Sequence, residues 1–281
     1  MLCSSRKPGR PLSALALAFL ALVACDLAFG TGVIVPRAHA QATVVRDGEW
    51  RYAFGAGASI ASGNSESSQL SFSGDAVTAR ADDKFTLSGK VLRVSGQGVT
   101  QSDQVSGAMR YERDIGERFY GFGELDGLRD RPANLQLRLG SSLGVGYHVV
   151  RAERASFDIF TGLGYLDNRY YQPVVIADLL RANYSHLEYL IGEEARLRLT
   201  DTTTLNQKLT VYQDLRDTSR YRAVLDAGLS VAIDNRFSLN ASIAWRYNSD
   251  PGSAVAGFNL PGVSTARRDF LFVTGLTLKF D

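Results

Sequence analysis

The chain has 281 residues, with 31 Lys and Arg against 29 Asp and Glu, for a formal net charge of +2. That balance excludes a nucleic-acid-binding surface, which needs a basic excess gathered on one face. Apolar residues make up 45% and charged residues 21%, which excludes a disordered chain, and 2 Cys with 3 His leave little material for a metal centre or thiol chemistry, so no metal or cofactor is expected.

Residues 1–40 read as an export signal. Arg6, Lys7 and Arg10 form a basic start, Leu12 to Ala24 is apolar or small apart from Ser13, and Ala38-His39-Ala40 fits the A-x-A cleavage rule. Cleavage there starts the mature chain at Gln41 and leaves 41–281 as the folded domain. A rival site exists: Leu22-Val23-Ala24-Cys25 has the form of a lipobox, whose cysteine would carry the lipid. Asp26 behind it resembles an inner-membrane retention signal, which conflicts with everything downstream. Cleavage after Ala40 removes both Cys3 and Cys25, so the mature chain forms no disulfide in an oxidising periplasm.

Beyond residue 40 the dominant period is two, the period of strands. Alternation marks twelve segments: 50–61, 68–80, 85–94, 104–113, 119–129, 135–149, 156–166, 186–199, 204–215, 221–233, 237–247 and 268–280. Many are about as long as strands that cross a bilayer at a tilt, ~9–11 residues, and longer than the ~5–6 usual in soluble sheets. An even count returns both termini to one side. The expectation is an all-β fold: an antiparallel transmembrane outer-membrane barrel of twelve strands. A soluble β-sandwich is the alternative, and it would need shorter strands without aromatic bands.

The connections alternate between short and long. The longest, 167–185 and 248–267, carry Pro173, Pro251 and Pro261, where no ladder bond is lost. They are expected to be outer loops, the short turns periplasmic. On the apolar face, Trp50, Tyr52, Phe237 and Phe280 fall at the short-turn end. Trp245, Tyr247, Phe270 and Phe272 fall at the other, so two aromatic girdles are expected around an aliphatic band facing membrane lipid. Glu193 breaks the pattern, because parity puts it on the apolar face; either a bulge at Glu193–Glu194 turns both inward or the register slips there.

The opposite parity carries the charge. Arg110, Glu124, Asp126, Arg138, Arg196, Arg198, Asp226 and Arg246 are the lumen-lining candidates. Nine acids and eleven bases share that face. A selective channel would show a ring of one sign. Near balance allows a plug of paired charges or a weakly selective passage. Glu124 and Asp126 stand beside Arg138 and Arg110 on neighbouring strands, so a coupled network is expected there.

Some motifs suggest a family. Trp50 leads into Gly55-Ala56-Gly57 and Ser62-Gly63-Asn64. Tyr111-Glu112-Arg113 follows, then Phe119-Tyr120-Gly121-Phe122-Gly123-Glu124-Leu125-Asp126, Arg138 to Tyr147, and a last strand ending at Phe280. Over about residues 48–281 the chain resembles the salt-induced outer-membrane proteins, a Gram-negative family of unknown function. The resemblance implies a Gram-negative outer-membrane location, a tie to salt or osmotic stress, and insertion by the barrel-assembly machinery through the C-terminal strand. The terminal aromatic is one place early, because Asp281 follows Phe280. A monomer is expected. The resemblance brings no catalytic residues, so no enzyme is expected.

Three further features bear on function. The glycines from Gly140 to Gly164 lie inside strands with no helix after them, so they are packing positions and not a phosphate loop. An outer-membrane hydrolase or acyltransferase would need a histidine base. His186 is the candidate, with Asp167 or Asp178 as its acid; adjacent Ser185 points to the other face. A surface-binding or adhesion module would use the 167–185 and 248–267 loops.

Overall fold

The computed structural model describes residues 42, 44–61, 67–96, 99–176, 179–250 and 267–280. The expected leader 1–40 lies outside them. Twelve strands run in chain order: β1 Trp50–Ala61, β2 Ser67–Ala79, β3 Asp83–Gly96, β4 Val99–Asp114, β5 Phe119–Asp130, β6 Leu135–Ala152, β7 Ala155–Ile176, β8 Leu179–Arg198, β9 Thr203–Asp214, β10 Tyr221–Ala232, β11 Phe237–Asn248 and β12 Arg268–Phe280. Each pairs antiparallel with its chain neighbours. β12 returns to β1, with Phe280 opposite Tyr52 and Leu276 opposite Ala56, so the sheet closes with no free edge.

The period-two pattern explains the wall. In β10, Leu225, Ala227 and Leu229 alternate with Asp226, Gly228 and Ser230, and β11 opposes them in register, Leu229 to Ala241 and Ser230 to Asn240. One parity faces outward and is open: Leu143 is 72% exposed and Leu163 58%. The other faces inward and is covered: Leu92 and Ala53 are 0% exposed.

Two expectations need correction. The segment 167–185 is not a loop, because β7 continues to Ile176 and β8 begins at Leu179. Val174, Val175 and Ile176 pair with Arg181, Leu180 and Leu179, and the register shifts between Arg169 and Val174. Pro173 falls inside that irregularity, where it costs no ladder bond, and the β-branched run after it resumes the sheet. At Glu193 there is neither bulge nor slip: Ile159, Glu193 and Leu209 are consecutive partners across β7, β8 and β9. Within the second long connection, residues 251–266 lie outside the described ones.

Candidate functional site

The inward rows of β4 to β9 build a ridge inside the barrel. Tyr120 and Phe122 of β5, Phe160 of β7 and Leu190 of β8 form one buried cluster, with Tyr212 of β9 against it. Glycines opposite them make the room. A Cβ on Gly146 would stand 2.1 Å from the Tyr120 ring, and one on Gly144 would stand 2.6 Å from Phe122 and 2.3 Å from the Thr161 carbonyl. Periodicity alone does not find this cluster, because β5 carries aromatics on both parities. The useful signal is the set of inward glycines Gly144, Gly146 and Gly192, each of which stands against an aromatic ring of the neighbouring strand, Phe122, Tyr120 and Phe160 in turn.

Charges clothe the ridge. The Arg110 guanidinium lies 4.2 Å above the Phe122 ring centre, and Lys208 Nζ lies 5.6 Å from that of Phe160. Arg110 donates to Glu112 at 2.5 Å and to Glu124 at 2.8 Å, while Lys84 reaches Glu112 at 2.5 Å. Glu124 also meets Lys208 at 3.6 Å. Lys208 is on β9, four strands from β5 round the wall, so this contact is a chord across the interior. Nearer the long-loop end, Arg222 grips Glu188 with two bonds of 3.0 and 2.7 Å and stands 3.4 Å from the Tyr212 ring centre. Arg246 meets Asp226 at 3.2 Å.

The other expected network partner sits apart. Arg138 gives its Nε proton to Asn168 Oδ1 at 2.8 Å. The register explains this. Glu124 opposes Ser142 and Asp126 opposes Gly140, but Arg138 opposes Leu128, further toward the long-loop end, and pairs on its other side with Asn168. Arg196 and Arg198 follow Glu194 on the inward row of β8 and are exposed.

His186 is buried, its Nε2 3.1 Å from Glu188 Oε1, and its ring tilts on Tyr184 at 4.9 Å. Glu188 is already held by Arg222. The acid expected beside His186 from 167–185 is elsewhere: Asp167 bonds Arg169 at 3.2 Å, and Asp178 lies outside the described residues. Among the described residues, no cluster of three or more His, Cys, Asp or Glu is placed to hold a metal ion.

The short-turn end has its own network. His148 lies 2.8 Å from Asp158 and 3.3 Å from Asp114, stacked on Tyr120 at 4.8 Å. Asp114 further accepts from Arg151 at 2.6 Å and Arg46 at 3.1 Å. Arg46 also bonds the Ala81 carbonyl. Before β1, Ala42 packs with Ala53 and Val77. Just after it, Asp47 accepts from Arg51 and from the Glu49 amide, which holds its carboxyl well below the usual range.

On the outward face the aromatics gather at both strand ends. Trp50 stacks on Tyr52 at 6.3 Å, Phe280 meets Phe54 edge-on at 5.9 Å, and Phe237 opposes Leu278. At the far end Tyr247 stacks on Trp245 at 6.3 Å and lies 5.3 Å from Tyr221, and Phe270 opposes Trp245.

A closed antiparallel barrel with an apolar exterior and a charged, aromatic interior is the fold of outer-membrane barrels. The chain belongs to the family described as protein of unknown function, DUF481, whose model matches residues 54–256. No curated protein matches it. Among solved structures it is similar to the NanC porin, at 10% identity over 82% of this chain and 100% of that one, TM-score 0.47. It is also similar to the KdgM porin, at 12% identity over 83% and 100%, TM-score 0.42. A third is the translocator domain of the autotransporter NalP from Neisseria meningitidis, at 15% identity over 96% and 95%, TM-score 0.41.

Proposed function

We propose that the protein is an integral outer-membrane barrel of structural or small-solute-passage role, and that its lumen is a charge-paired plug at rest. The short-turn end is periplasmic, the outward girdles sit at the two membrane interfaces, and β12 is the strand offered to the barrel-assembly machinery. The carrying observation is the chord from Lys208 to Glu124 and on to Arg110, laid over the Phe122–Phe160 ridge. Charges in a poorly hydrated interior persist only when paired, and here the partners come from strands on different sides of the barrel. A passage would require these pairs to part. Planar-bilayer recording of the purified protein tests the reading: the parent stays closed, and Glu124→Gln, which weakens the hold on Lys208, gives resolvable openings. Steady ohmic conductance in the parent would favour the passage. The tie to salt stress is supported by the family resemblance, and its test is the growth of a deletion strain across external salt concentrations.

A further inference from the structure

We propose that the outward wall of β3–β7 holds one anionic, phosphate-bearing lipid of the outer leaflet, with an acyl chain in a groove across the strands and the headgroup against Arg129 and Arg169. The proposal rests on the reading that this wall faces a bilayer.

The groove has a volume of about 770 Å³. Two outward rows form it. Gly107, Gly127, Leu139 and Asp167 line it as consecutive partners across β4 to β7, a row that Gly89 continues onto β3, and Leu87, Met109, Leu125, Ser141 and Tyr165 are consecutive partners on the periplasmic side of them. Four inter-strand steps give a length of ~19 Å. The row climbs as it goes. Gly89 stands mid-way along β3, whereas Gly127 stands three residues from the outer end of β5. The groove therefore runs obliquely from mid-wall to the outer rim, the path of a lipid tail below its headgroup.

The glycines of this row are not demanded by the fold. A Cβ on Gly89 would meet nothing within 4 Å, on Gly107 its nearest atom would be 3.6 Å away, and on Gly127 3.7 Å. None has a positive φ. Glycine in a strand interior costs stability relative to alanine. The inward glycines repay that cost by admitting Tyr120, Phe122 and Phe160; these three keep a channel open on the outer surface.

The rim supplies the charge. One outward position further out, Arg129 partners Val105 on one side, and Arg169 partners Leu137 across β6. Arg129 Nε donates to Tyr171 Oη at 3.0 Å, and the Arg131 guanidinium lies 6.0 Å from the same ring, so Tyr171 gathers two cations. The Arg169 side chain is 55% exposed beside its 3.2 Å bond to Asp167. With the outward cross-strand pair Arg93 and Asp103 of β3 and β4, the rim holds four guanidinium groups against two carboxylates, a cationic excess that suits a phosphate, which guanidinium binds in two-pronged fashion. A neutral headgroup leaves that charge unanswered.

Native mass spectrometry of the protein in micelles, titrated with phosphatidylglycerol or phosphatidylcholine, tests this. One phosphatidylglycerol per barrel is expected, preferred by about ten-fold over phosphatidylcholine. Arg129→Glu with Arg169→Glu abolishes the preference. Gly107→Leu fills the groove and abolishes retention, while Ala227→Leu, outward on β10, leaves it unchanged. Heat-resistant gel mobility verifies that each variant is folded. Equal retention of the two lipids by the parent, full retention by Gly107→Leu, displacement by inorganic phosphate, or a protein dimer lost on filling the groove would each overturn the proposal. A parent that fails to insert into vesicles removes the membrane reading as well; one that inserts without the preference removes this proposal alone.

Discussion

The Gln207 side-chain amide donates to the Glu193 carboxyl over 2.6 Å, and both residues lie on outward rows of adjacent strands. Glu193 shares a register row with Tyr147 and Ile159 on one side and Leu209, Leu225 and Trp245 on the other. That row climbs from one girdle to the other, so Glu193 stands near mid-depth. An acid facing hydrocarbon is costly there, and Gln207 offsets part of the cost. Gln207→Leu alone is expected to lower unfolding stability by about 1–3 kcal/mol, because the carboxyl loses its donor. Glu193→Leu with Gln207→Leu is expected to raise it by about 1–2 kcal/mol. Urea unfolding in vesicles measures both, and a destabilised double variant would show that the pair does more than tolerate its surroundings.

Two inward arginines should respond differently. Arg110 neutralises Glu112 and Glu124, with side chains 15% and 11% exposed. Removing it leaves Glu112 to Lys84 and Glu124 to the longer Lys208 contact, so Arg110→Ala is expected to cost about 1.5–3 kcal/mol, the worth of its charged hydrogen bonds. Arg138 bonds only the neutral Asn168 among the contacts described above, and Arg138→Ala is expected to cost about 0.5–1.5 kcal/mol. Equal losses in denaturant unfolding would mean that Arg138 belongs to the paired network.

The barrel was legible in the sequence because side-chain period, strand length and turn chemistry all point the same way. Strand count, order and most boundaries follow from alternation such as Tyr221 to Ile233. Where the alternation is interrupted, legibility ends. Pro173 hides the continuation of β7, since a proline in a strand reads as a break until the bulge that accommodates it is seen. Partners on the interior are harder still. Parity assigns Arg138 a face, but its partner Asn168 depends on the β6–β7 register, which periodicity does not give. The ridge is not legible in the sequence because its aromatics obey the polar parity, and the glycines that admit them have the same pattern as ordinary wall packing.

Glycine substitutions should divide by face. Gly144→Ala forces a carbon to within 2.3 Å of the Thr161 carbonyl, a backbone atom that cannot swing away. Overpacking of this kind is expected to cost about 1–3 kcal/mol. Gly89→Ala meets nothing and is expected to gain about 0.5–1 kcal/mol. Thermal unfolding on heat-modifiable gels reads both, and a destabilising Gly89→Ala would place an unrecognised contact on the outer wall.

The β10–β11 turn supplies a pH prediction. Asp234 accepts from the Arg236 and Phe237 amides, each at 2.7 Å, which lowers its carboxyl below the ordinary value. A lowered folded-state pKa gives stabilisation that is fully present above the unfolded value and is lost as pH falls through the folded one. Asp234→Ala should therefore weaken the turn at neutral pH and remove its acid sensitivity, whereas Asp234→Asn keeps an acceptor and loses only the charge. Amide hydrogen exchange at Arg236 and Phe237 against pH reports it; identical profiles for the parent and Asp234→Ala would contradict the cap.

If one parity of the wall faces lipid and the other the interior, the two should answer differently to an added charge. Leu229 and Ser230 are neighbours on β10 with opposite faces, and Leu229 is 37% exposed. The most direct measurement is the unfolding free energy of Leu229→Arg and Ser230→Arg in lipid vesicles. The expected loss is about 2–4 kcal/mol for Leu229→Arg, as for a cation placed near the bilayer midplane, and about 0–1 kcal/mol for Ser230→Arg, whose charge stays with the polar interior. Equal losses at the two positions, or a larger one at Ser230, would contradict that division of the wall.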